Sequence, residues 1–222
     1  MSLKSISRKS LIVVAAIVVI TIVVILLIQN SGLSHNAKVF TVNDNNVTYG
    51  EFRLVSEKHR GEVVTYFYST HNVNEGLDFW GKDTYFGGES PLQKLKDMTI
   101  QTLTKVKVEQ QLMVEYGIID SSEMSYKVFK KLLRAENSKR AELIASGGEV
   151  YGPEQYTESS YFDYLHNIRL QELREAVFRK ANTQNTEDRF TDTLLNSLID
   201  ERMKNVSVNI NDSVYERIVS IK

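Results

Sequence analysis

The sequence predicts a mainly helical protein: a single N-terminal transmembrane helix, then a five-helix domain whose two ends meet in a small β-sheet. Three observations carry that prediction. Residues 11–28, LIVVAAIVVITIVVILLI, are apolar but for Thr21. Beyond them, helix starts are marked by capping residues and followed by apolar residues at steps of three and four. At the two ends of that region, 39–49 and 206–210, apolar residues alternate with polar ones instead, which is the period of a strand.

The apolar run comes first in the chain. At about 1.5 Å per residue it spans roughly 27 Å as a helix, close to the hydrocarbon thickness of a bilayer. Lys4, Arg8 and Lys9 precede it, and the first acidic residue is Asp44. The tail 1–10 is therefore expected in the cytoplasm and the chain after the span outside. The run is longer than a signal-peptide core, and QNSGLSHNA after it offers only Gly32 and Ser34 as a weak cleavage site, which favours a retained signal anchor. Residues 29–37 then form a linker to an extracytoplasmic domain at 38–222.

Composition narrows the chemistry. The chain has no cysteine, which excludes a lipid-modified cysteine anchor, disulfides, zinc-thiolate sites and thiol catalysis. The exported domain must be held by its own core. The 27 basic and 28 acidic residues leave a net charge of −1. That balance gives no basic footprint for nucleic acid. Only Pro91 and Pro153 interrupt the possibilities for long helices.

The exterior region opens with VFTVNDNNVTYGEF (39–52), two short alternating runs around a polar knot. Thr48 with Glu51, and Ser90 with Gln93 and Pro91, fit capping boxes at two helix starts. Asp120 with Glu123 marks a third, Thr157 after YGPEQY a fourth, and Thr186 to Asp188 a fifth. The predicted helices cover 50–72, 91–116, 121–145, 157–180 and 187–204. Leu92, Leu95, Thr99, Leu103, Val106, Gln110 and Met113 form the stripe of the second helix. Phe162, Leu170, Leu173 and Val177 form that of the fourth, and Phe190, Leu194, Leu195, Leu198 and Ile199 that of the fifth. Gly117 and Gly147-Gly148 mark helix ends. After the last helix, NVSVNINDSVYERI is a strand by its alternation, and it can pair with 39–42 or with 47–49 to close a three-stranded sheet.

No catalytic constellation is visible. His35, His59, His71 and His166 fall on separate elements without metal-ligand spacing, so no metal or cofactor is expected. FGGES (86–90) lacks the nucleophile-elbow pattern, and Ser90 reads as a cap. The aromatic residues are more suggestive. Phe79, Trp80, Tyr85 and Phe86 share the long loop 73–90, Tyr66 and Tyr68 end the first helix beside Phe67, and Tyr151, Tyr156, Tyr161, Phe162 and Tyr164 cluster at the start of the fourth. Rings with a polar handle suit half-wet surfaces that grip apolar segments, and they also suit an ordinary core. A loop of that length is often functional, and Trp80 within it is the first candidate for a surface role.

The opening VFTVNDNNVTYGEF and the closing VSVNINDSVYERI resemble the ends of SurA- and PrsA-type extracytoplasmic foldases. Thr48, Glu51 and Phe52 match that opening, while Asp44 stands in the turn where a glycine is usual. The likeness covers the layout of 38–222, with motif-level agreement at the two ends. It implies a helical module that binds unfolded polypeptides; for such a module the aromatic residues Phe79, Trp80, Tyr85 and Phe86, with Tyr66 and Tyr68, are the candidate peptide contacts. The parvulin isomerase domain that such proteins often carry has no room between Phe52 and Val206, and its G-G-x-L-G run is absent. The implied protein is a non-catalytic, membrane-anchored chaperone module. The rival readings are an assembly subunit docking one dedicated membrane or secretion partner, and a divergent prolyl isomerase.

Overall fold

The computed structural model describes residues 32–181 and 188–219, and for 188–192 the backbone alone. The tail 1–10 and the expected span 11–28 lie outside the described residues, as do most of the fifth start signal and the side chain of Phe190. Among the described residues, no helix is long and apolar enough to cross a membrane. The folded domain is the unit His35–Lys222.

The domain is mainly helical with a small sheet, as the periodicities predict. Strands β1 (Lys38–Val42) and β2 (Asn45–Thr48) form a hairpin. Its two-residue turn is Asn43-Asp44, with φ of 46° and 68°. Positive φ at both positions is the signature of a type I′ turn, whose twist matches the strands, and Asn and Asp tolerate that conformation best after glycine. Helix α1 (Tyr49–His71) follows without a break. Thr48 caps it: the Thr48 backbone N–H and Oγ1 each donate to Glu51 Oε2 at 2.8 Å. Asn72 ends it in the left-handed region at φ 53°.

Helix α2 (Pro91–Glu115) lies antiparallel against α1, capped by Ser90 with Pro91 in its first turn. Every member of its predicted stripe except Gln110 is buried. The third predicted helix is divided. Asp120 and Glu123 do form a capping box, but it heads only a 3₁₀ turn at Ser121–Met124. Ser125 then adopts extended backbone and caps a fresh helix, α3 (Tyr126–Ala145), by accepting from the Val128 N–H at 3.3 Å. Helices α4 (Glu158–Lys180) and α5 (Asp188–Lys204) follow, then β3 (Val208–Ile210) and a single helical turn, α6 (Asp212–Tyr215).

The strand order is β2-β1-β3. Of the two pairings open to the last strand, the chain uses β1, with Phe40 opposite Ile210, Thr41 opposite Asn209 and Val42 opposite Val208. Both ends of the domain are thereby tied to one central strand. Val39, Phe40, Val42 and Val47 from the sheet and Phe52, Val55, Leu103 and Leu112 from α1 and α2 are all buried, at 2% exposure or less. Leu173 and Val177 of α4, with Leu195 and Ile199 of α5, are buried further along.

One ion pair is fully buried in this core. Lys107 Nζ donates to Glu51 Oε1 at 2.7 Å, to the Met124 carbonyl at 2.7 Å and to Gln110 Oε1 at 3.1 Å. All three ammonium protons are satisfied, which is the condition for tolerating such a charge away from water. Through it the hairpin-to-helix junction, α2 and the 3₁₀ turn share one fastening.

Candidate functional site

A second, smaller core joins α3 and α4 to the first turns of α1, and it sets the geometry of the candidate site. Leu54, Tyr126, Phe129, Leu133, Tyr156 and Tyr161 form it, with Phe162 and Leu165 packed alongside. Gly50 lets α3 approach closely, because a Cβ there would lie 2.3 Å from the Tyr126 ring. Glu158, in the first turn of α4, gathers Tyr126 Oη at 2.9 Å, Arg53 Nη2 at 3.1 Å and the Lys130 ammonium. Burial pushes the Tyr126 hydroxyl above its ordinary value, and likewise that of Tyr161.

This packing ends at Leu133. No residue of α3 beyond it is buried, although the helix continues for three more turns and carries Leu143 and Ile144. Here α3, the segment 146–157 and α4 form an open groove of about 310 Å³, lined by Leu143, Val150, Tyr151, Tyr156 and Tyr164 and by the charged Glu136, Lys139, Arg140 and Glu149. That volume is at the small end of the range of about 300–1,000 Å³ for ligand sites. Tyr151 is 90% exposed, and Leu143 and Tyr164 are each 41% exposed. The apolar lining faces outward.

The walls of the groove are held by hydrogen bonds. Asn137 clasps the Tyr156 backbone from both sides: its Nδ2 donates to the carbonyl, and its Oδ1 accepts from the N–H, each at 2.9 Å. The Arg140 guanidinium donates to the carbonyls of Tyr151 at 3.0 Å and Pro153 at 2.7 Å, and it lies 4.5 Å over the Tyr156 ring. Tyr156 in turn stacks on Tyr164 at 5.0 Å. A surface fixed in this way loses little conformational entropy when something lies on it.

The six residues predicted as peptide contacts fall elsewhere and have different fates. Phe79 is 2% exposed and packs edge-on against Phe67 at 5.7 Å, so it is a core residue and presents no surface to a ligand. Phe86 is half-buried against the same two rings. Trp80 lies beneath the Arg60 guanidinium, 4.7 Å from its ring, and its indole N–H donates to Glu75. The Tyr66 hydroxyl donates to Glu89 Oε2 at 2.7 Å, with the Lys94 ammonium 3.5 Å over its ring. Only Tyr85 and Tyr68, 62% and 55% exposed, point outward. The structure thus brings Phe79 and Phe86 together on Phe67, with Trp80 edge-on to Phe79 at 4.9 Å, as a clasp that docks the loop, while Tyr66 ties α1 to Glu89.

Charges complete that clasp. The bond from Trp80, with Arg60 beside it, holds Glu75 below the usual carboxylate range. The Tyr66 hydroxyl does the same for Glu89, and its own pKa rises in consequence. Of the groove residues, Tyr151, Tyr156 and Tyr164 belong to the aromatic cluster seen in the sequence, whereas Leu143 and Arg140 are missed by that reading. A signal was present, since Leu143 and Ile144 are adjacent apolar residues at the end of a helix whose stripe has already lapsed after Leu133.

Among the described residues, no group of three or more His, Asp or Glu side chains could hold a metal. His59 bonds Glu62 and Thr102, and His166 bonds Glu109, each at 2.9 Å. Comparison of the chain with protein-family models, with curated proteins and with solved structures finds no match in any of the three.

Proposed function

We propose that this protein is a membrane-anchored, extracytoplasmic, non-catalytic chaperone-like module that binds extended apolar segments of unfolded polypeptides. Residues 11–28 serve as the anchor and 29–37 as the linker. The observation that carries the reading is the outward apolar groove of Leu143, Val150, Tyr151 and Tyr164, rigidly walled by Asn137 and Arg140. Tyrosines around an apolar floor offer contact area and a hydrogen-bonding edge with few rotatable bonds, which suits clients of varied sequence.

Magnitudes place the groove alone at the weak end of peptide binding. Burying one or two client side chains there yields roughly 1.5–3 kcal/mol each. Association costs about 4 kcal/mol or more in lost freedom. Binding is then weak and quickly reversible, as release of a folding client requires. The test is light scattering from two unrelated aggregating clients, with the full chain in lipid nanodiscs. Suppression of both by a large molar excess of the protein, reduced by Leu143→Ser with Tyr151→Ser, is the expected result. No suppression by a folded chain, with tight capture of one partner instead, would favour a dedicated assembly subunit and end this reading.

A further inference from the structure

The last strand carries a surface that the peptide groove does not use. Around β3 the hydrogen-bonding parity is fixed by its neighbours: Asn43 N–H donates to the Ser207 carbonyl at 2.9 Å, and Asn211 N–H to the Val39 carbonyl at 2.9 Å. With Thr41 opposite Asn209 between them, residues 207, 209 and 211 direct their backbone groups at β1. Antiparallel ladders alternate. The N–H and C=O groups of Val208 and Ile210 therefore face away from β1, along the open edge of the sheet.

The side chains share that incompleteness. Val208 and Ile210 lie opposite Val42 and Phe40, on the same face of the sheet. Phe40 and Val42 are fully buried, whereas Val208 and Ile210 are 37% and 43% exposed. The run 205–211, NVSVNIN, has no charge and no proline. Sheet edges are ordinarily protected by lysine, proline or a bulge, and β3 has none of these.

We propose that two copies of this chain join through β3, antiparallel across a two-fold axis at Asn209, to make one six-stranded sheet. In that register Val208 of each copy exchanges backbone hydrogen bonds with Ile210 of the other, and Asn209 faces its own symmetry mate. The surface is self-complementary, as an isologous interface requires. Charge complementarity favours a second copy over an unrelated strand. Lys204 precedes the run and Asp212 follows it, and neither forms an ion pair within the described residues. The antiparallel register brings the cationic end of each run to the anionic end of the other, twice. A client strand would meet the backbone groups equally but offers no fixed counterpart to that pair.

The chain has no cysteine, so Asn209→Cys in the full-length, detergent-solubilised protein gives a clean test under mild oxidation. Facing residues of a non-hydrogen-bonded antiparallel pair have Cα atoms about 4.5 Å apart, within disulfide reach. Disulfide dimer is expected as the main product at 209. Ser213→Cys should give none, because in this register Asn211 already lies roughly 13 Å from its own copy at about 3.3 Å per residue, and Ser213 lies beyond it in the turn α6. Adding Val208→Pro removes an outward N–H without touching the bonds to β1, and should abolish the product with the circular dichroism unchanged. A folded chain that fails to couple at 209, that couples equally at 213, or that ignores Val208→Pro would overturn the proposal. Coupling of 209 to a cysteine-bearing extended peptide, but not to itself, would assign the edge to clients instead.

Discussion

Two regions of this domain are rich in aromatic rings, and they put them to opposite uses. In the loop 73–90 the rings turn inward: Phe79 and Phe86 close on Phe67 at the end of α1, with Trp80 edge-on to Phe79, and Tyr66 is pinned by Glu89 and Lys94. At the far end of α3 and the start of α4, Tyr156 and Tyr161 are buried, but Tyr151, Tyr164 and Leu143 face solvent. Ring content is similar. The difference is what lies opposite: the loop rings have a helix to fold back on, whereas among the described residues α3 beyond Leu133 has no third element to cover it. Aromatic density reports the capacity to bury area, and the surrounding topology decides whether the partner is the chain itself or something else.

The largest effect expected from this contrast is on stability. Phe79→Ala removes a buried ring from the clasp and should cost about 3–5 kcal/mol, read by chemical unfolding. Client binding per folded molecule should not change. A stable Phe79→Ala variant that loses binding would return the site to the loop.

The second effect is on binding alone. Leu143→Ala with Tyr151→Ala should weaken capture of a fluorescent extended peptide by about tenfold, or roughly 1.4 kcal/mol. Stability should move by no more than about 0.5 kcal/mol, because both side chains are exposed. A smaller change belongs to Arg140. Arg140→Lys keeps the charge but cannot hold the carbonyls of Tyr151 and Pro153 together, so affinity should fall severalfold, with a stability loss of about 1 kcal/mol by the same titrations.

The smallest effect is a local response to acid in the clasp. Glu75 and Glu89 are both held below their ordinary values. Depressed carboxylates stabilise the docked loop fully above the ordinary range near about 4.3, and that stabilisation is lost as pH falls through the lower folded-state values. Trp80 is the sole tryptophan, so its fluorescence should shift in that acid window before the helical circular dichroism does. Simultaneous loss of both signals would mean that the clasp does not open independently.

How legible each region was depends on where its constraints lie. Capping residues act over three or four positions, so the starts at Thr48, Ser90 and Thr157 and the alternation at 39–42 could be read directly. The start at Asp120 is equally legible and its box forms, but a second cap at Ser125, five residues later, restarts the chain as α3. Two valid local signals compete there, and the second reaches Tyr126, whose ring packs on Gly50. The choice of β1 as the partner of β3 is long-range, and periodicity does not decide it. The site was the least legible part, because inward and outward rings look alike in sequence until the helix opposite them is known.

The most direct test of the contrast places a photo-crosslinking phenylalanine analogue at Tyr151 in one variant and at Tyr85 in another, and irradiates each with an unfolded client. Both positions are exposed, so reach alone does not separate them. Client adducts at Tyr151 and none at Tyr85 are the predicted result. Adducts at Tyr85 with none at Tyr151 would place the client on the loop and contradict the assignment of the groove.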